Sequence, residues 1–139
     1  REALRGVRAV TRDEHLVSLR TETQGAAALL SAAGIDARID LDLPDLPPAV
    51  DQVLAWAVRE GVTNVLRHSQ ASTCSITAGR RDGQARLEIV NDGVRAPAGE
   101  GSGLAGLTER ATALSGSVSA GPLGDGRFRL LLEVPEEAA

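Results

Sequence analysis

The sequence predicts one α/β domain, a two-layer sandwich in which helices lie on one face of a mixed β-sheet. The first observation is the order of its periodic segments. After an opening helical stub the order is helix, strand, helix, strand, strand, long loop, helix, strand, strand. The second is size, because 139 residues of which 42% are hydrophobic suit a single core. The third is that no internal repeat and no second domain is visible in the sequence.

The first half of the chain is predicted to contain two helices with a strand between them. Ser18 is a favourable N-cap for a helix that ends at Gly34. Residues 35–43 alternate strictly between apolar and polar side chains, which is the pattern of a half-buried strand. Prolines then break the chain, and Pro48 suits the first turn of a long helix that ends near His68.

The second half is predicted to contain two hairpins, separated by a loop and a helix. Residues 92–103 lack apolar periodicity, and a loop of that length inside a small domain is usually functional. A helix from residue 104 is expected to stop at Gly116. The last hairpin turns across Gly-Pro-Leu-Gly-Asp-Gly, and the first across Arg-Arg-Asp-Gly. The four strands are predicted over residues 72–78, 84–91, 117–120 and 128–134.

Composition excludes several classes of function. Aromatic residues are 1% of the chain, namely Trp56 and Phe128, so stacking platforms for single-stranded nucleic acid are not expected. The net charge of -4 argues against a large phosphate-backbone footprint, and we expect no nucleic-acid partner. Cys74 is the one cysteine, which excludes an internal disulfide and a multi-cysteine zinc site. We expect it to be a small strand residue.

The chain opens in mid-pattern, with apolar residues at helical spacing and no start methionine. We interpret residues 1–17 as the end of a preceding helix with its linker, residues 18–135 as the domain, and residues 136–139 as a tail. No apolar run reaches the ~20 residues of a membrane span and no signal peptide opens the chain. We therefore expect no membrane contact by this fragment, and membrane attachment elsewhere in a longer protein stays open.

The run from Glu60 to His68 carries the most chemistry. At ~100° per residue, Glu60, Asn64, Arg67 and His68 fall within about 100° of each other on one side of the long helix. The opposite side is an apolar stripe suited to packing on a sheet. A carboxylate and a carboxamide together supply a proton acceptor and a neutral oxygen ligand for Mg²⁺. A solvated helix face is the alternative interpretation of these four residues taken alone.

Two later features favour a nucleotide pocket. Asn91, Asp92 and Gly93 follow the end of a strand, where an amide or carboxylate can pair with an adenine amino group and glycine allows close approach. An ordinary turn is the alternative. The glycine-rich residues 99–107 run directly into a helix, whose exposed N–H groups favour phosphate oxygens. A flexible linker is the alternative there, and each glycine cluster is a weak signal by itself.

In this order the motifs resemble the ATP-binding domain of sensor histidine kinases of the NarL/DesK-like branch, in the gyrase–Hsp90–histidine kinase–MutL superfamily. The resemblance spans nearly the whole chain and implies the Bergerat ATP-binding fold. Residues 60–68 are similar to the family's N box, its most specific motif. Asn91-Asp92-Gly93 matches the G1 box, residues 101–107 the G2 box, and Gly124-Asp-Gly126 the last glycine box.

The resemblance also implies a role for each of these residues. Asn64 ligates the Mg²⁺ that bridges the ATP phosphates, and Glu60 orients or deprotonates an attacking group. Arg67 and His68 lie near the phosphates, and Asn91 or Asp92 holds the adenine amino group. Residues 94–102 act as a lid. The nucleotide-binding set is completed by Gly93, Gly101, Ser102, Gly103, Leu104, Gly106 and Gly126.

The chain departs from the family pattern at the adenine side. The G1 box is usually Asp-x-Gly-x-Gly, and here Asn91 stands at the aspartate and Arg95 at the second glycine. Asparagine still accepts a hydrogen bond from the adenine amino group but brings no charge. We therefore expect weaker or altered adenine binding.

The function implied is that of a protein-histidine kinase catalytic domain in a cytoplasmic two-component system, with ATP and Mg²⁺. It delivers the γ-phosphoryl to a histidine outside this chain, because His15 lacks the context of a phosphoacceptor. Its partners are the kinase's own dimerisation domain and a response regulator. The alternative is an anti-sigma-factor-like or degenerate binding module of the same fold.

Overall fold

Helices and strands follow each other along the chain in the predicted order. The computed structural model describes residues 18–43, 45–93 and 102–136. The opening stub, His15, Arg95 and most of the expected lid therefore lie outside the described residues. The helices are α1 (Leu19–Ala32), α2 (Pro48–His68) and α3 (Ser102–Ala113). The strands are β1 (Asp36–Leu41), β2 (Thr73–Arg81), β3 (Gln84–Asn91), β4 (Ser117–Gly124) and β5 (Arg127–Pro135).

The strands form one mixed sheet in the order β1-β2-β3-β5-β4. β1 pairs parallel with β2, and the remaining pairs are antiparallel. In the central strands, Ile89 stands opposite Ile76 of β2 on one side and Leu130 of β5 on the other. Since the β1–β2 crossover runs through α2, the mixed topology follows from the predicted order of elements.

Burial alternates along the central strands and divides the sheet into two faces. In β3 the side chains of Leu87 and Ile89 are buried, and they belong to one core with buried side chains from all three helices. The opposite face carries half-exposed ion pairs, Arg86 to Glu133 at 3.2 Å and Arg129 to Glu88 at 3.4 Å. The helices therefore cover one face of the sheet, and the predicted two-layer α/β sandwich is confirmed.

Both ends of α1 are capped as the sequence predicts. The Ser18 hydroxyl accepts the N–H of Thr21 at 3.1 Å. At the other end Gly34 has φ +78°, and the N–H of Ile35 donates back to the carbonyl of Leu30 at 2.9 Å. Glycine adopts this left-handed backbone without a Cβ clash, which ends the helix in a Schellman-type cap.

Two close contacts show that α2 and α3 run antiparallel along the sheet. After α2, the N–H of Gln70 donates to the carbonyl of Gly93 at 2.9 Å, so α2 ends where β3 ends. After α3, a Cβ on Gly116 would lie 2.5 Å from the carbonyl oxygen of Glu133, near the end of β5. Because β3 and β5 are antiparallel, α3 ends at the opposite end of the sheet.

The last hairpin differs from its prediction. Pro122 and Leu123 were expected in a turn, but they belong to β4, which continues to Gly124 with an irregular register. The turn itself is Asp125-Gly126, with φ +57° and +74°. β4 is an edge strand, which is where a sheet can accommodate proline, so the strand continues through the local turn signal. Similarly, α3 begins at Ser102 rather than at residue 104.

Replacing Ser115 with glycine is expected to raise the free energy of unfolding by about 0.5–1 kcal/mol. Ser115 follows α3 with φ +64°, a left-handed conformation in which its Cβ is crowded. Urea unfolding of the variant measures the gain. Gly34→Ser is the matched control, since Gly34 holds the same place after α1 and should lose stability. A less stable Ser115→Gly variant would contradict the strain at this position.

Candidate functional site

The polar stripe of α2 combines two half-buried and two exposed side chains. Glu60 and Asn64, one turn apart, are half-buried, whereas Arg67 and His68 in the last turn are exposed. Among the described residues, neither the Glu60 carboxylate nor the Asn64 carboxamide has a hydrogen-bond or ion-pair partner. Half-buried polar groups without protein partners are available to a ligand. This stripe therefore forms one wall of the candidate site.

Gly61 explains how that wall is held close to the sheet. It is buried, and a Cβ at this position would lie 2.5 Å from Cδ1 of Ile89 and 3.2 Å from Cδ2 of Leu130. The missing side chain lets the backbone of α2 rest directly on the central strands β3 and β5. Asn64 is less than one turn further along α2, towards the end of β3. The role of Gly61 is not visible in the sequence, because the residues that it contacts lie far from it in the chain.

Asn91 ends β3 on the helix-covered face of the sheet. Its side chain is 5% exposed, and Nδ2 donates to the carbonyl oxygen of Asp92 at 2.8 Å. This bond leaves Oδ1 as the group that can accept from a ligand, since no described residue donates to it. An amide held by its own chain in this way presents an acceptor in a fixed orientation.

The carboxylate of Asp92 is held by the backbone at the start of β2. Oδ1 accepts the N–H groups of Ser72 at 2.7 Å and Thr73 at 3.0 Å. The hydrogen bond from Thr73, followed by that from Ser72, holds the pKa of Asp92 below its usual value. Asp92 is thus an ionised cap for β2. Of the two residues predicted to bind adenine, Asn91 has an Oδ1 to which no described residue donates, whereas Oδ1 of Asp92 is held by the backbone; adenine binding by either residue stays a prediction.

Gly93 is required by the protein rather than by the approach of a base alone. Its φ is +68°, and a Cβ would lie 2.3 Å from the carbonyl oxygen of Gln70. Together with Asp92, it joins the end of β3 to the connection between α2 and β2. The Asn-Asp-Gly motif is therefore a junction between three elements, and the alternative of an isolated turn does not describe it.

The glycine-rich run contributes the start of α3. Gly101 lies outside the described residues, and Ser102 and Gly103 form the first helical positions. Leu104 and Gly106 are half-buried, and the helix is anchored by Leu107, which is 2% exposed. Because α3 begins at the end of the sheet where β3 ends, its free N–H groups and Asn91 lie at the same end of the molecule.

Gly126 is an exposed turn residue of the β4–β5 hairpin, two positions before Phe128. Phe128 is the strand partner of Asn91, so this hairpin turn also lies at the site end of the sheet. A Cβ on Gly126 would meet no heavy atom within 4 Å, and its φ of +74° accounts for the glycine. Its predicted role in nucleotide binding stays a prediction.

Sequence reasoning missed a second feature of the α2 stripe. The Trp56 ring contacts two guanidinium groups, with Cζ of Arg59 at 4.6 Å and Cζ of Arg110 at 4.4 Å from the ring centroid. Arg110 belongs to α3, so this contact joins the two helices of the site. Trp56 is one turn before Glu60, and that spacing was the one signal visible in the sequence.

Other chemistry is absent from the part of the chain that the structure describes. It contains no group of three or more His, Cys, Asp and Glu side chains arranged to hold a metal ion. None of its helices is both long and apolar enough to span a bilayer. Cys74 lies in a strand, β2, as predicted. It is buried there, and burial raises the pKa of its thiol to about 11, so the thiol stays protonated at neutral pH.

No protein-family model matches the chain, but curated proteins and solved structures do. Sensor histidine kinase YvfT of Bacillus subtilis is 30% identical over 123 residues, covering 86% of this chain and 33% of YvfT. The histidine kinase domain of the Erythrobacter litoralis EL346 blue-light activated histidine kinase has a TM-score of 0.70 at 16% identity, covering 86% of this chain and 65% of that chain. Full-length ShkA in complex with AMPPNP has a TM-score of 0.67 at 19% identity, covering 87% of this chain and 30% of that chain.

These likenesses confirm the predicted resemblance. The curated relatives are sensor histidine kinases, and the solved structures show that the fold is that of histidine kinase catalytic domains. The chain spans about a third of the length of YvfT and a smaller share of sensor histidine kinase NarS of Mycobacterium tuberculosis, at 16%.

Proposed function

We propose that this chain is the ATP-binding catalytic domain of a two-component sensor histidine kinase, the family to which its curated relatives belong and whose catalytic-domain fold it has. One observation carries the proposal. Glu60 and Asn64 are half-buried, have no partners among the described residues, and lie on the part of α2 that approaches the end of β3, where Asn91 is. ShkA, a structure of the same fold, was solved with the ATP analogue AMPPNP.

Asn91 is the residue assigned to the adenine base. Its Oδ1 accepts from the adenine amino group, while its Nδ2 stays bonded to the carbonyl of Asp92. An aspartate at this position would place a carboxylate against that carbonyl oxygen instead. Asparagine is therefore matched to this backbone, and the base is recognised by a neutral acceptor.

The phosphates are assigned to the start of α3 and to the last turn of α2. The first N–H groups of α3 lack intrahelical partners, and Arg67 and His68 are exposed at the same end of the sheet. Mg²⁺, when bound, would offset the negative charge of the phosphates. The carboxamide oxygen of Asn64, half-buried and without a partner among the described residues, is the protein ligand that would hold it.

Glu60 is assigned to the transfer step. Its carboxylate, one turn before Asn64, orients or deprotonates the attacking group as the γ-phosphoryl leaves ADP. The acceptor is a histidine imidazole on a dimerisation domain outside this chain, and a response regulator receives the phosphoryl from there. This places the domain in the cytoplasm, where ATP is available.

Phosphoryl transfer tests the proposal. The domain is incubated with γ-labelled ATP and Mg²⁺, alone and with a histidine-bearing dimerisation domain from the same kinase. We expect acid-labile label on the added domain and none on this chain. Acid-stable label on a serine of a separate protein would instead indicate the anti-sigma-factor-like activity. Label on the 139-residue chain itself, or no saturable binding of Mg-ATP, would contradict the proposal.

A further inference from the structure

We infer that Trp56 and Arg110 are positioning residues that hold the start of α3 against α2 beside Asn64. The inference rests on the proposed function, because it concerns how the phosphate end of that site is kept in place. It is carried by the two guanidinium groups that contact the single tryptophan of the chain.

The two arginines make the same contact with the ring but join different elements. Both Cζ atoms lie within the ~6 Å range of a cation–π interaction, at 4.6 Å for Arg59 and 4.4 Å for Arg110. Arg59 lies on α2 with Trp56 and pairs with Glu22 of α1 at 2.5 Å. Only the Arg110 contact crosses from α2 to α3. Arg110 forms no ion pair with any described residue, so the ring is its partner there.

The place of the stack along α2 relates it to the site. Trp56, Glu60 and Asn64 follow each other at intervals of four residues, so they form one stripe along the helix. Asn64 lies about 12 Å beyond Trp56 along the axis of α2. Because α3 runs antiparallel, its first residues lie about 10 Å beyond Arg110 in the same direction. The stack therefore places the start of α3 level with Asn64.

The other contacts of α3 are apolar packing against the core, including that of Leu104 in its first turn, and a close approach at its far end. Gly116 packs against the backbone of Glu133 and fixes the far end of the helix. Leu107 and Ala111 are buried, but apolar burial is non-directional and tolerates a shift of the helix. The hydroxyl of Thr108 bonds within α3, to the carbonyl of Leu104 at 2.8 Å. The Trp56–Arg110 stack thus adds a directional contact to the apolar packing between α2 and the described part of α3.

A comparison of arginine variants tests the inference by calorimetric titration of Mg-ATP, with adenosine as a competitor. Arg110→Ala is expected to weaken Mg-ATP binding about two- to fivefold, the size of one partly exposed cation–π contact, and to leave adenosine binding unchanged. Arg110→Lys keeps the cation over the ring and should restore most of the affinity. Arg59→Ala is the matched control, because it removes an equal ring contact within α2, and it should bind Mg-ATP like the wild type.

Hydrogen exchange of the α3 amides provides a readout that does not depend on nucleotide. Arg110→Ala should speed exchange at residues 106–109, whose amides bond to the first turn of α3, about two- to fivefold, and Arg59→Ala should leave it unchanged. Unchanged exchange in Arg110→Ala, or equal losses of ATP and adenosine binding, would overturn the inference. Failure of the wild type to bind Mg-ATP would overturn the proposed function instead, so the two failures are distinguishable.

Discussion

Asn64→Ala is expected to lose the Mg²⁺-dependent part of ATP binding while keeping its fold. Mutation of a residue that only supports a metal ligand typically costs about 10- to 100-fold in metal affinity, and we expect a loss of at least that size for Mg-ATP when the ligand itself is removed. Without Mg²⁺ the variant and the wild type should bind ATP equally, because the carboxamide then has no metal to hold. Titration of ATP with and without Mg²⁺ measures both numbers.

The fold should tolerate this change. The Asn64 side chain is half-buried and bonds to none of the described residues, and alanine is the better helix former by roughly 0.5 kcal/mol. A lost affinity therefore cannot be ascribed to unfolding if the melting temperature is unchanged or raised. Leu66→Ala is the control, since Leu66 is 38% exposed and lies about 160° around α2 from Asn64. Equal Mg²⁺ dependence in wild type and Asn64→Ala would rule out Asn64 as the metal ligand.

Most of the fold could be predicted from local sequence signals, because the spacing of apolar residues and the capping residues depend on how each element packs. The alternation in residues 35–43 and 84–91 follows a sheet with one buried face, and the Ser18 and Gly34 caps act within one turn of α1. Pro122 in β4 shows where local signals fail. Its tendency to form a turn was outweighed by its place on the sheet edge, which only the strand order reveals.

The residues of the candidate site were proposed from the sequence, but the contacts that hold them in place were not. Glu60 and Asn64 were chosen from their chemistry, and their shared stripe follows from helical geometry alone. Two of these contacts join residues that are far apart in sequence, namely the backbone hydrogen bonds to Asp92 and the ring contact of Arg110. No periodic pattern in the sequence indicates such contacts. In the sequence Gly61 likewise appears only as a residue of low helix propensity, and the structure explains it by the close approach of Ile89.

The largest expected loss of stability is that of Gly93→Ala. Alanine at this position adopts a left-handed backbone, and its Cβ would lie 2.3 Å from the carbonyl oxygen and 2.5 Å from the carbonyl carbon of Gln70. Backbone atoms cannot rotate away as a flexible side chain can, so the end of α2 must separate from the end of β3. We expect a loss of about 2–5 kcal/mol in the free energy of unfolding, measured by urea denaturation.

Gly83→Ala separates the clash from the backbone strain. Gly83 has φ +80° in the β2–β3 turn, but a Cβ there would meet no heavy atom within 4 Å, so only the strain of about 1–2 kcal/mol applies. The excess loss in Gly93→Ala measures the contact with Gln70. Equal losses in the two variants would mean that this contact contributes nothing. Because Asn91 is two residues before Gly93, the same separation should also displace Oδ1 from adenine, and Gly93→Ala should bind ATP more weakly even where it remains folded.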